Sequence, residues 1–292
     1  MAPALRLRLQ AAALSLVLLL ALLGVWHVAT APSAASPVAA ATALTPEQIE
    51  YQKLLGKDST AGTAKAGGFP TLWQMAAAIG QALADPFRDG GPNDKGIGIQ
   101  IGWSLLRVAL GFGLAAAVAI PLGFLIGMSP LAWRALDPFI QVLKPISPLA
   151  WMPIALYTIK DSSVSGIFVI FICSVWPMLV NTAFGVSTVR RDWLAVARTL
   201  EVTPLRKAFR VILPAAAPTI LTGMRISMGI AWLVIVAAEM LVGGTGIGYF
   251  VWNEWNNLAL PNVILAILLI GLVGMALDAL FARAQKAVSY VE

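Results

Sequence analysis

Four ionisable side chains stand inside long apolar runs: Arg107, Lys144, Arg225 and Glu239. A charge at bilayer depth is costly, which makes each of them a functional candidate by default. Three of the four are cations, and cations along a path favour a small monoanion that sheds hydration on entering. Arg107, Lys144 and Arg225 are therefore candidates for an anion pathway, with Asn181 as an uncharged donor. Each cation also has a plainer reading, in which its long side chain snorkels to the interface. Glu239 suits a structural pair with a neighbouring span better than contact with an anion. Arg225 and Glu239 lie about 21 Å apart along one helix and cannot pair with each other. Each needs a partner on another span, or water.

Other chemistries are excluded by the residues they require. A phosphate-cradling loop reads Gly-x-x-x-x-Gly-Lys-Ser/Thr. Gly56-Lys57 is followed by Asp58, and the glycine-rich stretch Gly243 to Gly248 lacks a lysine, so the chain holds no ATP of its own. That stretch reads instead as a tight turn admitting close backbone approach. His-Glu-x-x-His is absent, and His27 is the only histidine. Neither a metal protease nor an intramembrane serine protease can be assembled from these residues. Cys173 stands alone in an apolar run, so no disulfide forms within the chain. No catalytic residue, metal or bound cofactor is expected.

The elements that must position these charges are spans. Of 292 residues, 59% are apolar and 12% charged. A soluble domain is nearer half apolar and a quarter charged, so the chain reads as an all-α integral membrane protein. Runs long enough to cross a bilayer cover 10–29, 101–128, 138–159, 164–189, 215–242 and 258–277. The net charge of +6 then reads as topology rather than nucleic-acid binding. With the N-terminus inside, Arg134, Arg190, Arg191, Arg198, Arg206, Lys207, Arg210 and Arg283 share the cytoplasmic side. Both termini are expected there.

Residues 1–31 form an anchor, or a signal segment cleaved after Ala29-Thr30-Ala31. Residues 32–100 form an external tether ending in a helix that lies at the interface or packs on the bundle. Its face carries Leu72, Met75, Ala76, Ile79 and Leu83 at helical spacing. Residues 101–285 form the main bundle, with a loop at 190–214. In that loop Asp192 to Val202 suits one short helix. Thr203 then serves as N-cap and Pro204 opens a second helix. Leu205, Phe209 and Ile212 fall on one apolar stripe, Arg206, Lys207 and Arg210 occupy the rest, and Pro214 ends the helix. Trp252 and Trp255, on an outer loop, suit an aromatic belt.

The loop carries a resemblance. Val196-Ala197, followed after a gap by Val211-Ile212-Leu213-Pro214, resembles the cytoplasmic motif of binding-protein-dependent ABC importer permeases. That motif reads Glu-Ala-Ala, three residues, Gly, nine residues, Ile-x-Leu-Pro. Here its Glu falls on Ala195, its Gly on Glu201 and its Ile on Val211. Ser104-Leu105-Leu106-Arg107-Val108, Pro121-Leu122-Gly123 and Ala238-Glu239-Met240-Leu241 resemble the nitrate, sulfonate and taurine group. Asp85-Pro86-Phe87, Ser147-Pro148-Leu149-Ala150-Trp151 and Trp252 to Leu258 resemble nitrate permeases more narrowly.

The resemblance implies a type I permease fold, one extra N-terminal span before a five-helix core, in a bacterial inner membrane. It implies nitrate as the substrate, with nitrite or cyanate beside it, and a sulfonate, taurine or bicarbonate permease as the alternative. It implies a second permease copy, membrane lipids around it, ABC ATPase subunits that bind ATP and Mg, and a periplasmic or lipid-anchored solute-binding protein. The two short helices would dock on the ATPase through Val196, Ala197, Thr199, Leu200, Leu205, Phe209, Arg210, Leu213 and Pro214. A secondary transporter or channel is a more distant alternative, since no paired repeat is visible.

Overall fold

A computed structural model describes residues 3–30, 69–91 and 94–288. The tether expected over 32–68 lies outside these. The described chain divides into two compact units, Met1–Gly80 and Gln81–Glu292.

In the first unit, α1 (Pro3–Thr30) is a helix that is mostly apolar from Leu9 onward, with most of its described side chains exposed and Leu23, Trp26 and Thr30 half-buried. The indole N–H of Trp26 donates to the Pro70 carbonyl at 2.9 Å, and its ring packs against Phe69. α2 (Leu72–Ala84) begins with a reciprocal capping box: the Thr71 N–H donates to Gln74 Oε1, and the Gln74 N–H to Thr71 Oγ1. Its buried face runs through Met75 and Ala78. Ala76 and Leu83, expected on that face, are exposed.

The second unit is all helical apart from one bridge, Asp89 to Lys95, in the loop before α3. Its elements are α3 (Ile97–Met128), α4 (Pro130–Leu143), α5 (Pro148–Ile159), α6 (Ser162–Ser187), α7 (Arg191–Thr199), α8 (Pro204–Val242), α9 (Ile247–Asn256) and α10 (Leu260–Val288). α6 is the central post, packed on α3 and on α8. Lipid supplies no hydrophobic drive between helices, so close approach rests on small residues. A side chain at Gly111 would meet Ile170, at Gly127 the Ala183 carbonyl, and at Gly223 Asn181.

Among the described residues, five helices are long and apolar enough to cross a membrane. The third expected span is not one straight helix. α4 and α5 pass the same test only together, and they meet at a 90° bend. The cause is local: Pro145 and Pro148 carry no backbone N–H, so the helical ladder stops where Lys144 donates to Ile140.

Pro214 does not end a helix. α8 runs unbroken through it, because a π turn at Ala208–Ile212 precedes it. The Leu213 N–H reaches back five residues to Ala208, widening the ladder where the proline ring would otherwise crowd it. The same turn shifts the phase of the side chains. Ile212 therefore leaves the stripe expected with Leu205 and Phe209 and is buried. It packs with Val186, Val189, Ala216 and Ile220 in a small second core.

Candidate functional site

The helix pair at 191–214 presents an apolar ridge to the outside. α7 has Asp192 in its first turn and Arg198 in its last, which suits the helix dipole. Leu194 and Ala197 turn inward, one against the second core and the other buried. Trp193, Val196, Leu200, Leu205 and Phe209 turn outward, each 45–73% exposed. Thr199 and Arg210 flank them, exposed, as is Pro214. Two of the residues expected to touch a partner are corrected. Ala197 is buried and has no surface to offer, and Leu213 is half-buried against the second core. Thr203 occupies the N-cap position of the second helix but makes no side-chain cap; its carbonyl accepts from the Lys207 N–H instead.

The turn joining the two helices is closed by a pair of bonds. The Val202 N–H donates to Ala197 and the Glu201 N–H to Arg198. This reverse closure puts Glu201 in the left-handed region, with φ of 49°. It is the position where the permease motif carries glycine, and the left-handed conformation is the physical reason glycine suits it. Glu201→Gly is expected to raise stability by about 0.5–1 kcal/mol, and Glu201→Val to lower it. Thermal unfolding of the detergent-solubilised protein, followed by size-exclusion chromatography, measures both.

The intramembrane charges fall into three situations. Arg107 and Glu239 form a buried ion pair at 2.8 Å. Ser104 Oγ lies 2.8–2.9 Å from both Glu239 oxygens, and the Gly248 N–H donates to one of them. Arg107 also donates to Ser163 Oγ and to the Thr245 carbonyl, with the Trp103 ring at 5.9 Å. Gln100 and Ser104 accept from the Gly246 and Ile247 N–H groups. Together α3 and α8 grip the 243–248 turn as a fully bonded network. A Cβ at Gly246 would collide with the Glu239 carboxylate, and one at Gly248 with the Val236 carbonyl. Arg107, expected along an anion path, is thus neutralised inside this network.

Arg225 is paired on both nitrogens with Asp278 of α10, at 2.6 Å each. The pair is partly exposed and borders a cavity of about 380 Å³ between α8 and α10, lined by Trp232, Leu277 and Gly274. Lys144, by contrast, is exposed at the α4–α5 bend, and its ammonium has no hydrogen-bond or ion-pair partner among the described residues. Asn181 donates to the Pro177 carbonyl and lines a cavity of about 450 Å³ with Trp133, Arg134, Phe184 and Ser187.

Gln100 and Asp278 are not among the expected site residues, and Ser104 enters the sequence reading only as part of a motif, with no partner assigned. Gln100 and Ser104 are uncharged and stand in an apolar run. Asp278 falls one residue beyond the expected end of the sixth span, whereas α10 continues to Val288.

Comparison with known proteins adds the relationship. The family described as the binding-protein-dependent transport system inner membrane component matches residues 119–290. The nitrate import permease protein NrtB of Synechocystis sp. is 45% identical over 224 residues, 77% of this chain and 82% of that protein. The bicarbonate transport system permease protein CmpB of the same organism is 41% identical over 240 residues, 76% of this chain and 86% of that protein. Among solved structures, the inward-facing MetNI methionine ABC transporter aligns with a TM-score of 0.57 at 14% identity. The match covers 65% of this chain and 94% of that one, and it shows a shared fold.

Proposed function

The chain belongs to the family of inner membrane components of binding-protein-dependent transport systems, and from that premise we propose that it is the membrane subunit of an ATP-driven nitrate importer. The observation that carries the substrate is the 45% identity to a nitrate import permease over most of both chains. A bicarbonate permease is the second reading, favoured by the 41% identity to CmpB.

In the assembly, two copies of the chain enclose the path, two ATPase domains sit on the cytoplasmic side and a solute-binding protein delivers nitrate outside. Both termini and the 190–214 loop are cytoplasmic, α1 anchors the chain, and 32–68 tethers it. The chain hydrolyses nothing itself. The ridge of Trp193, Val196, Leu200, Leu205 and Phe209 suits the task of docking on an ATPase. Large exposed apolar side chains in a row mark a contact surface, and the basic rim of Arg206, Lys207 and Arg210 gives orientation.

Uptake of isotopically labelled nitrate at micromolar concentration tests the proposal, in a strain lacking the chain and in the same strain restored. Loss on deletion, rescue on restoration and no competition by taurine or bicarbonate are expected. Unchanged nitrate uptake, with no redundant nitrate transporter present, would discard nitrate and leave the permease.

A further inference from the structure

Of the three cations that stand inside long apolar runs, Arg107 and Arg225 are neutralised by carboxylates and Lys144 is not. It also stands where the backbone is irregular. Irregular backbone within a bilayer is tolerated only where it is buried in protein or lines a water-filled cavity. The bend lies deep. α4 has 14 residues and α5 has 12. With both legs inclined equally at the 90° bend, they rise about 15 Å and about 13 Å, which together match a hydrocarbon core of about 30 Å. Lys144 is then near the midplane.

α4 is polar along one face that leads to this point. Arg134, Asp137, Gln141 and Lys144 are spaced by three, four and three residues, so they fall within an arc of about 80° and along about 15 Å of helix. Gln141 donates to Asp137 at 2.6 Å, and Asp137 is the only one of the four not fully exposed. The stripe ends at Arg134, which lines the 450 Å³ cavity beside Asn181 and Ser187. Such a face cannot stand against lipid tails.

Resting on the reading of the chain as an anion permease, we propose that the polar face of α4 lines the translocation path and that Lys144, at the break, is the residue the anion contacts near the midplane. The cation offsets the hydration that a small anion loses there, and Arg134 draws the anion on towards the cavity, past Asp137, whose carboxylate accepts from Gln141. Arg107 and Arg225 have no part in this, because their charges are already matched.

The test uses the complete transporter, permease with its ATPase and binding protein, reconstituted in liposomes. Cysteine replaces Lys144, Gln141 or, as a control at an exposed apolar position of α10, Leu268, each in a Cys173→Ala background. Lys144→Cys is expected to slow nitrate uptake about tenfold or more, the size of one charge-assisted contact. Aminoethyl methanethiosulfonate, which rebuilds an ammonium at that position, is expected to restore uptake, whereas the neutral methyl reagent is not. A membrane-impermeant thiol reagent is expected to label positions 141 and 144 and to spare 268. Lys144→Arg, which keeps the charge, is expected to stay within a few fold of the wild type and serves as the folding control.

Wild-type uptake by Lys144→Cys, equal rescue by both reagents, or absence of label at 141 and 144 would each overturn the proposal. The last outcome would mean that a second copy of the chain covers the stripe. If the wild-type transporter moves bicarbonate but no nitrate, the substrate reading fails by itself. The same variants are then judged on bicarbonate uptake and on labelling.

Discussion

Phe209→Asp is expected to abolish ATP-driven uptake, by about two orders of magnitude or more, while the protein still inserts and assembles its bundle. The reasoning rests on where the side chain stands. Phe209 is 65% exposed and contributes nothing to either core, so its loss leaves the fold intact. In a docked complex it would be buried, and an aspartate there would surrender its hydration to an apolar groove with no counter-charge. Two readouts separate this from misfolding: the yield of monodisperse permease and the ATPase rate of the reconstituted complex. Normal yield with uncoupled or unstimulated ATPase is the expected pattern. Unchanged coupling and uptake would remove the ridge from the ATPase interface.

The second large effect belongs to the Arg107–Glu239 pair. Removing one member leaves a buried charge without its partner, which costs about 3–5 kcal/mol. Glu239→Ala and Arg107→Ala should each lower the thermal midpoint by roughly 10 °C, on ordinary scaling for a protein of this size. Arg107→Leu combined with Glu239→Leu should be less damaging than either single change, because an apolar pair leaves no orphan charge. The 243–248 turn would still lose its anchor in the double variant, since the Gly248 N–H and Ser104 Oγ both bond to Glu239. Stability is therefore expected to recover further than uptake does. Additive effects of the two single changes would mean that the pair is not coupled.

Much of this arrangement was legible in the sequence, and the failures have physical causes. The spans were readable because twenty apolar residues in a row have few other uses. The first short helix of 190–214 and the new start at Thr203-Pro204 were legible, but the second helix is the head of α8 and not a short one. Pro214 misled, because a membrane helix can carry a proline in its interior, as Pro121, Pro177 and Pro218 also show. Here a π turn makes room, and the same turn carries Ile212 into the core. The third span was read as continuous because hydropathy averages over its bend, although Pro145 and Pro148 were in plain view. The network around Glu239 was half legible. A buried acid needs a partner, but nothing in the local pattern says that Arg107, in a run 132 residues earlier, would supply it. Gln100 and Ser104 give no signal at all until the backbone of the turn is seen beside them.

The unbroken course of α8 has a mechanical consequence. At 39 residues the helix is about 58 Å long. One end carries Leu205 and Phe209, and the other carries Glu239 and the turn it grips. Moving as a single rod, such a helix would act as a lever, with the π turn and Pro218 as the places where it could bend instead. A tilt of about 10° about its middle sweeps each tip through about 5 Å, in opposite directions. In that motion a push on the Leu205–Phe209 end would displace the Gly243–Gly248 turn at the other end directly. The same geometry makes stiffness, rather than any one side chain, the quantity that sets how much of the stroke is transmitted.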